Sequence, residues 1–191
     1  MPEVRDCSDV ILPKGFILWV THCSSRKKPV QEGSPEELYD SPRISNFIAY
    51  CKGNVLSWAV LSAKYGLFFP DEKKPNYDST FKSDPSTKQC HVLEDDRLLD
   101  ETASRAWLNQ LVLDVRQKIL SRNVGSIMFW PGEPRDGVDP LMRVKCYLKF
   151  LHAGADECAV DHGSWREIVQ HIDALSRSGH GRIKFVERLP Q

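Results

Sequence analysis

Three short apolar runs constrain this chain more than any other feature of it. They are Phe16-Ile-Leu-Trp-Val-Thr21, residues 55–62, and Ser126-Ile-Met-Phe-Trp130. Continuous runs of β-branched and aromatic residues, bounded by Gly15 or by polar clusters, read as strands buried on both faces. Between them the apolar period changes. Ile44, Phe47, Ile48 and Cys51 recur at helical spacing over residues 43–52, and Gly53-Asn54 ends that segment. Leu108, Leu111, Val112, Val115 and Ile119 do the same over 101–122, with Asp100 placed to cap. Helical spacing returns over 141–151 and, after Ser164, as far as residue 175. Residues 156–160 and 183–186 read as two further short strands. Strands alternating with amphipathic helices predict an α/β fold: a single three-layer domain with a mostly parallel central sheet of four to five strands.

Composition narrows what such a domain does. Of 191 residues 41% are hydrophobic, enough for a real core, which excludes a disordered chain. The 26 basic and 26 acidic side chains cancel, so this is not a polyanion binder with a uniformly basic surface. No apolar run approaches the ~20 residues that cross a bilayer, and the first residues lack the pattern of a secretory signal, so a cytoplasmic protein is expected. The six cysteines form no Cys-x-x-Cys pair and share no metal-ligand spacing with the six histidines. They read as reduced, mostly buried thiols, with no metal and no cofactor called for. Residues 1–15 read as an N-terminal arm and 16–190 as the domain. A long polar loop insertion is expected at about 68–100, too long for an idle connection.

In open α/β sheets ligands bind beyond the carboxyl ends of the strands, where the β-to-α loops gather. The conspicuous polar residues of this chain fall in those loops. After the first strand, Cys23-Ser24-Ser25-Arg26-Lys27-Lys28 combines a thiol, two hydroxyls and three cations, a set able to hold an anion. The spaced glycines of a Walker loop are missing. After the second strand, Ser62, Lys64, Tyr65 and Gly66 offer donors, a stacking face and a permissive backbone. Tyr77 and Asp78 follow, Asp78 being the best-placed carboxylate for orienting a hydroxyl or acting as a base. After the third strand come Glu133, Arg135 and Asp136, where a second carboxylate can face the first across an N-glycosidic bond. Asp161-His162 forms a possible orienting pair. Against each stands a plainer reading as solvated loop, tight turn or rim packing.

These motifs, in order, resemble a family. Cys23-Ser-Ser-Arg-Lys27, Glu37-Leu-Tyr39-Asp-Ser41, Leu61-Ser-Ala-Lys-Tyr-Gly-Leu67 and Pro75-Asn-Tyr-Asp78 look like the signature of an uncharacterised family of small bacterial and phage α/β proteins. The resemblance covers about residues 16–82. It marks Cys23, Lys27, Tyr39, Ser62, Gly66, Tyr77 and Asp78 as site residues. Asn76 departs from the family's Pro-Tyr-Asp. The Cys-Ser-x-x-Lys loop is also faintly similar to the catalytic domain of archaeosine synthase, and that resemblance, together with one to uracil-DNA-glycosylase-like folds, implies nucleobase or nucleic-acid modification.

Two functions are therefore expected to compete. In the first, the chain is an enzyme acting on a nucleobase, nucleotide or modified nucleic acid, with Cys23, Lys27, Asp78 and Glu133 catalytic. Ser24, Ser25, Tyr39, Ser62, Lys64, Tyr65, Gly66, Tyr77 and Arg135 would then bind substrate. In the second, it is a non-catalytic ligand- or partner-binding module. A small-molecule or nucleotide ligand is the expected partner. Nucleic acid is possible through Arg26, Lys27, Lys28, Lys73 and Lys74, and a membrane is not expected.

Overall fold

The computed structural model describes residues 15–87, 89–158 and 163–191. Its centre is a five-stranded sheet. Strand β1 (Phe16–His22) lies in the middle, between β3 (Ser57–Ser62) and β9 (Val124–Phe129), both parallel to it. Beyond β9 runs β10 (Ile183–Phe185), also parallel, and β4 (Gly66–Phe68) closes the other edge antiparallel to β3. The apolar runs have become the three inner strands.

Successive strand side chains point to opposite faces, so the sheet feeds two apolar clusters. Leu18, Val20, Ala59, Leu61 and Ile127 pack with Leu111, Val115 and Ile119 of α3 (Glu101–Ser121). Leu148 and Leu151 of α5 (Lys145–Ala155) and Ile168 and Ile172 of α6 (Trp165–Ser178) complete that cluster. Trp58, Val60 and Trp130 join Ile44, Phe47, Ile48 and Cys51 of α2 (Pro42–Gly53) in the other. The helix starts follow sequence chemistry: Asp100 accepts from Ala103 N at 2.8 Å, and Ser164 forms a capping box with Glu167.

Four expectations are corrected. Residues 68–100 are not a loop insertion. After β4 they build β6 (Ser79–Ser83), β7 (Cys90–Glu94) and β8 (Arg97–Leu98), an antiparallel three-stranded sheet. The acidic run there is a turn: Asp95 and Asp96 both take positive φ, 48° and 60°, which a two-residue hairpin between β7 and β8 requires. A two-residue pairing of β2 (Glu32–Gly33) with β5 (Lys74–Pro75), ahead of the one-turn α1 (Pro35–Leu38), ties the first loop to this region. The helix expected over 141–151 breaks at Val144 into α4 (Pro140–Arg143) and α5. Asp156 to Cys158 are not a strand; Asp156 ends α5, faces His152 Nδ1 at 3.3 Å and accepts from Arg182 N at 2.8 Å. The remainder of that expected strand, the expected Asp161-His162 pair and the N-terminal arm up to residue 14 lie outside the described residues.

The last correction concerns the thiols. Cys90 and Cys146 form a disulfide between β7 and α5, 56 residues apart in sequence, while Cys23 and Cys51 are free and buried. Spacing alone cannot reveal such a bond, because only the packing of the small sheet on α5 brings the two sulfurs together. Among the described residues no helix is long and apolar enough to cross a membrane.

A cross-link closing a loop of this length constrains the unfolded chain by about 4 kcal/mol on the chain-entropy account. Reduction, or the Cys90→Ser/Cys146→Ser pair, is expected to lower unfolding stability in urea by about 2–4 kcal/mol. An unchanged midpoint would show that the bond carries no stability.

Candidate active site at the carboxyl edge of the sheet

The residues after β1 are held by backbone before any side chain is considered. Cys23 N donates to Leu61 O at 2.9 Å, extending the β1–β3 pairing by one residue. The next turn is then pinned to the end of α1: Lys28 N donates to Leu38 O, Asp40 N to Arg26 O, and Lys27 pairs with Tyr39 across an antiparallel bridge. This pairing explains why a Cys-x-x-x-Lys segment and a Leu-Tyr segment occur together.

Around that turn lies a buried network of hydroxyls. Tyr39 and Tyr77 share a hydrogen bond of 2.6 Å between their phenol oxygens, and Ser62 Oγ donates to Tyr77 Oη at 2.8 Å. Ser62 Oγ in turn accepts from the backbone N–H groups of Lys64 and Tyr65. Lys27 Nζ sits 4.1 Å from the centre of the Tyr77 ring, a cation–π contact, and donates to Ser24 O at 3.3 Å. Burial lowers the Lys27 pKa, while Cys23 and Asp78 act in the opposite direction. Burial pushes Tyr39 and Tyr77 well above the usual phenol range, with Cys23 adding to the effect. Both phenols therefore stay protonated.

On the other side of Cys23 a pocket opens. Its volume is about 550 Å³, and its walls include His22, Cys23, Ser24, Ser25, Ser41, Arg43, Thr80, Arg135, Arg143 and Tyr147. That size falls within the ~300–1,000 Å³ typical of small-molecule sites. Cys23 Sγ lies 3.2 Å from Tyr147 Oη. Burial and then Cys23 raise the Tyr147 pKa well above its ordinary value. Arg43 reaches in from the first turn of α2: its guanidinium donates to Thr21 Oγ1 at 2.6 Å, His22 O at 2.7 Å and Cys23 O at 3.2 Å. Burial depresses its pKa to about 10, Cys23 opposing and Arg143 adding to the depression. Gly132, at φ +110°, leaves room for this side chain; a Cβ there would stand 2.9 Å from Arg43 Cδ. His22 contacts Cys23 O and Pro131 O through its two ring nitrogens. Burial, with Arg43 next, lowers its pKa to about 3, so the ring is neutral at pH 7.

The sequence-marked residues thus divide. Cys23, Ser24, Ser25 and Arg135 line the pocket, and Lys27, Tyr39, Ser62 and Tyr77 form the network behind it. Tyr77 is packed by Tyr65 at 5.1 Å as well as by Lys27, so its ring is part of the buried packing rather than a free stacking face. Asp78 is exposed but close enough for its charge to act on Lys27. Lys64 is turned away, paired with Glu94 at 2.9 Å beside Trp107. Tyr65 donates to Pro75 O. Gly66 serves the β3–β4 turn: at φ +64°, a Cβ would meet Asp114 Oδ2 at 2.1 Å. Glu133 has an exposed side chain, and its carbonyl accepts from Arg143. Arg43, Arg143, Tyr147 and Thr80 were missed. One signal was available for Arg43: a cation in a first helical turn that holds no acid runs against the helix dipole. No group of three His, Cys, Asp or Glu able to hold a metal occurs among the described residues.

Fold and site together define an α/β protein with a thiol- and arginine-lined pocket at the carboxyl edge of a mostly parallel sheet. The chain belongs to a family of unknown function, DUF6884, whose model matches residues 18–134. That span runs from within β1 to the start of the loop after β9, so it holds every pocket residue except Arg135, Arg143 and Tyr147. No curated protein and no solved structure matches the chain, so the expected likeness to archaeosine synthase and uracil-DNA-glycosylase-like folds finds no support in these comparisons.

Two outcomes test this geometry. His22 binds a proton far less readily folded than unfolded, so its contribution to stability is complete above pH ~6.5 and lost as pH falls toward 3. Urea unfolding is expected to give stability roughly 2–3 kcal/mol lower at pH 4.5 than at pH 7.5 from this group. A His22→Phe variant is expected to show a flatter pH dependence. Tyr77→Phe, which leaves Tyr39 and Ser62 without their shared partner, is expected to cost about 1–2 kcal/mol.

Proposed function

We propose that this protein is an enzyme acting on a nucleobase, nucleotide or modified nucleic acid, by base or N-glycoside chemistry, at the carboxyl edge of its sheet. We take residues 16–190 as one three-layer domain that carries the site. The observation that supports this reading most is the meeting of a buried, free thiol with a half-buried lysine and three arginines beside one pocket. Cys23 is the candidate nucleophile, with Arg43 and Lys27 as the nearby cations. Lys27, whose ammonium is weakened by burial, is the candidate proton-transfer group. Asp78 holds charge near Lys27. Glu133, pointing to solvent, is a weaker candidate for acid–base work than the sequence alone implies.

A second reading, a non-catalytic ligand-binding module, draws on one observation: the pocket wall carries no carboxylate among the described residues, and so no obvious general base of the carboxylate kind.

The two separate on turnover. Incubation with a panel of nucleobases, nucleosides, nucleotides and short single strands, followed by mass spectrometry, is expected to reveal a product. Cys23→Ser and Lys27→Ala are expected to cut its rate by about 10²–10⁴-fold, with unchanged circular dichroism. The rate is expected to rise with pH through an inflection below the usual lysine range, and that inflection should be lost in Lys27→Arg. Binding of a panel compound without any product, weakened but not abolished in Lys27→Ala, would favour the module.

A further inference from the structure

We propose that the pocket contains a subsite for a terminal phosphate group, a phosphomonoester dianion, held by Arg43, Arg143 and Arg135 with the hydroxyls of Ser24, Ser25 and Ser41 around it. This assignment deepens the reading above by naming the anionic part of the substrate. It also moves that part away from the cations the sequence favours.

Those cations are engaged elsewhere. Arg26 pairs with Asp40 at 3.2 Å, Lys28 donates to Glu36 O, and Lys27 lies over Tyr77. The three arginines differ from them: among the described residues, none has a carboxylate within ion-pair distance. Arg43 spends its bonds on neutral acceptors, a threonine hydroxyl and two carbonyls, and Arg143 donates to the carbonyl of Glu133. The bonds named occupy both Nη2 hydrogens of Arg43, one on each of its bidentate edges, so Arg43 acts on the pocket through its charge, and the fork contacts fall to Arg143 and Arg135.

The arginines also repel one another. Arg143 acts against the charge on Arg43, and Arg135 against that on Arg143, in both cases after burial. Three cations converging on one pocket, with no acid on its wall, are unfavourable until an anion enters. The first turn of α2 adds to the same field, since Ser41 caps it, Arg43 lies within it and it holds no acidic residue. His22, which burial and then the neighbouring Arg43 and Arg143 keep neutral, adds no charge of its own to this field. Arginine's planar fork suits a phosphate's oxygens, and a dianion uses three cations better than the single charge of a backbone diester.

Titration calorimetry at constant ionic strength tests the assignment. The probes are inorganic phosphate, a nucleoside 5′-monophosphate, the parent nucleoside and a dinucleoside monophosphate diester. Phosphate and the monophosphate are expected to bind and to compete. Both Kd values should rise at least tenfold in Arg143→Gln and in Arg135→Gln, and stay unchanged in the remote surface variant Arg105→Gln. Occupancy should also raise the His22 pKa, read by NMR titration of its ring. Phosphate that does not bind, or that binds equally well to Arg143→Gln and Arg135→Gln, overturns the subsite. A nucleoside that binds as tightly as its monophosphate overturns it while leaving a nucleobase enzyme standing. A diester that matches the monoester overturns the terminal assignment in favour of a nucleic-acid backbone. Arginine-dependent phosphate binding with no turnover of any panel compound upholds the subsite and removes the proposed reaction.

Discussion

The arrangement depends on one polar pin. Arg43 donates to Thr21 Oγ1, and Thr21 Oγ1 donates to Trp130 O at 2.9 Å. Three elements meet in that chain: the first turn of α2, the last residues of β1 and the end of β9. The threonine is fully buried, so its hydroxyl needs both partners, and the guanidinium also satisfies the carbonyls of His22 and Cys23 as β1 ends. The charge that fixes the backbone beside Cys23 is therefore the charge that faces the pocket. Architecture and electrostatics are set by the same side chain, and a substitution there disturbs both.

The small antiparallel sheet supplies the opposite wall. Phe81 of β6 packs edge-on against Tyr147 at 5.0 Å, and Tyr147 in turn reaches Cys23. The disulfide of Cys146, the residue before Tyr147, joins α5 to β7. What looks in sequence like a polar excursion is thus a structural support for the pocket. It carries Thr80 to the rim, and its β7 packs on α3, where Ser104 Oγ accepts from Val92 N in the buried interface.

The parts of this protein that depend on local pattern were legible in its sequence. Buried strands announce themselves as apolar runs, and α2, α3 and α6 by period and cap, because both signals act over a few residues. The β6–β8 sheet was not legible. Its apolar positions, such as Cys90 and Val92, alternate with His91 and are diluted by charges, and its turn uses two aspartates where glycine or asparagine is the usual signal. The site was legible in half. Cys23, Lys27, Tyr39, Ser62 and Tyr77 share a neighbourhood, as their motifs imply, yet most form the network behind the pocket. Arg143 of α4 and Tyr147 of α5 come from helices remote in sequence, and only tertiary packing brings them to the pocket beside Cys23. Lys64 and Gly66, adjacent to Ser62 in a conspicuous motif, serve an ion pair and a turn instead.

The outer strands of the main sheet have one further effect. β4 and β10 are three residues each, all of β4 is buried, and Lys184 stands exposed in the middle of β10. A sheet whose borders are this brief, with a charge on one of them, presents few unpaired backbone groups for a strand of another molecule to zip onto. Ribbon-like self-association is thereby discouraged, although the interior strands are as apolar as those of aggregation-prone segments.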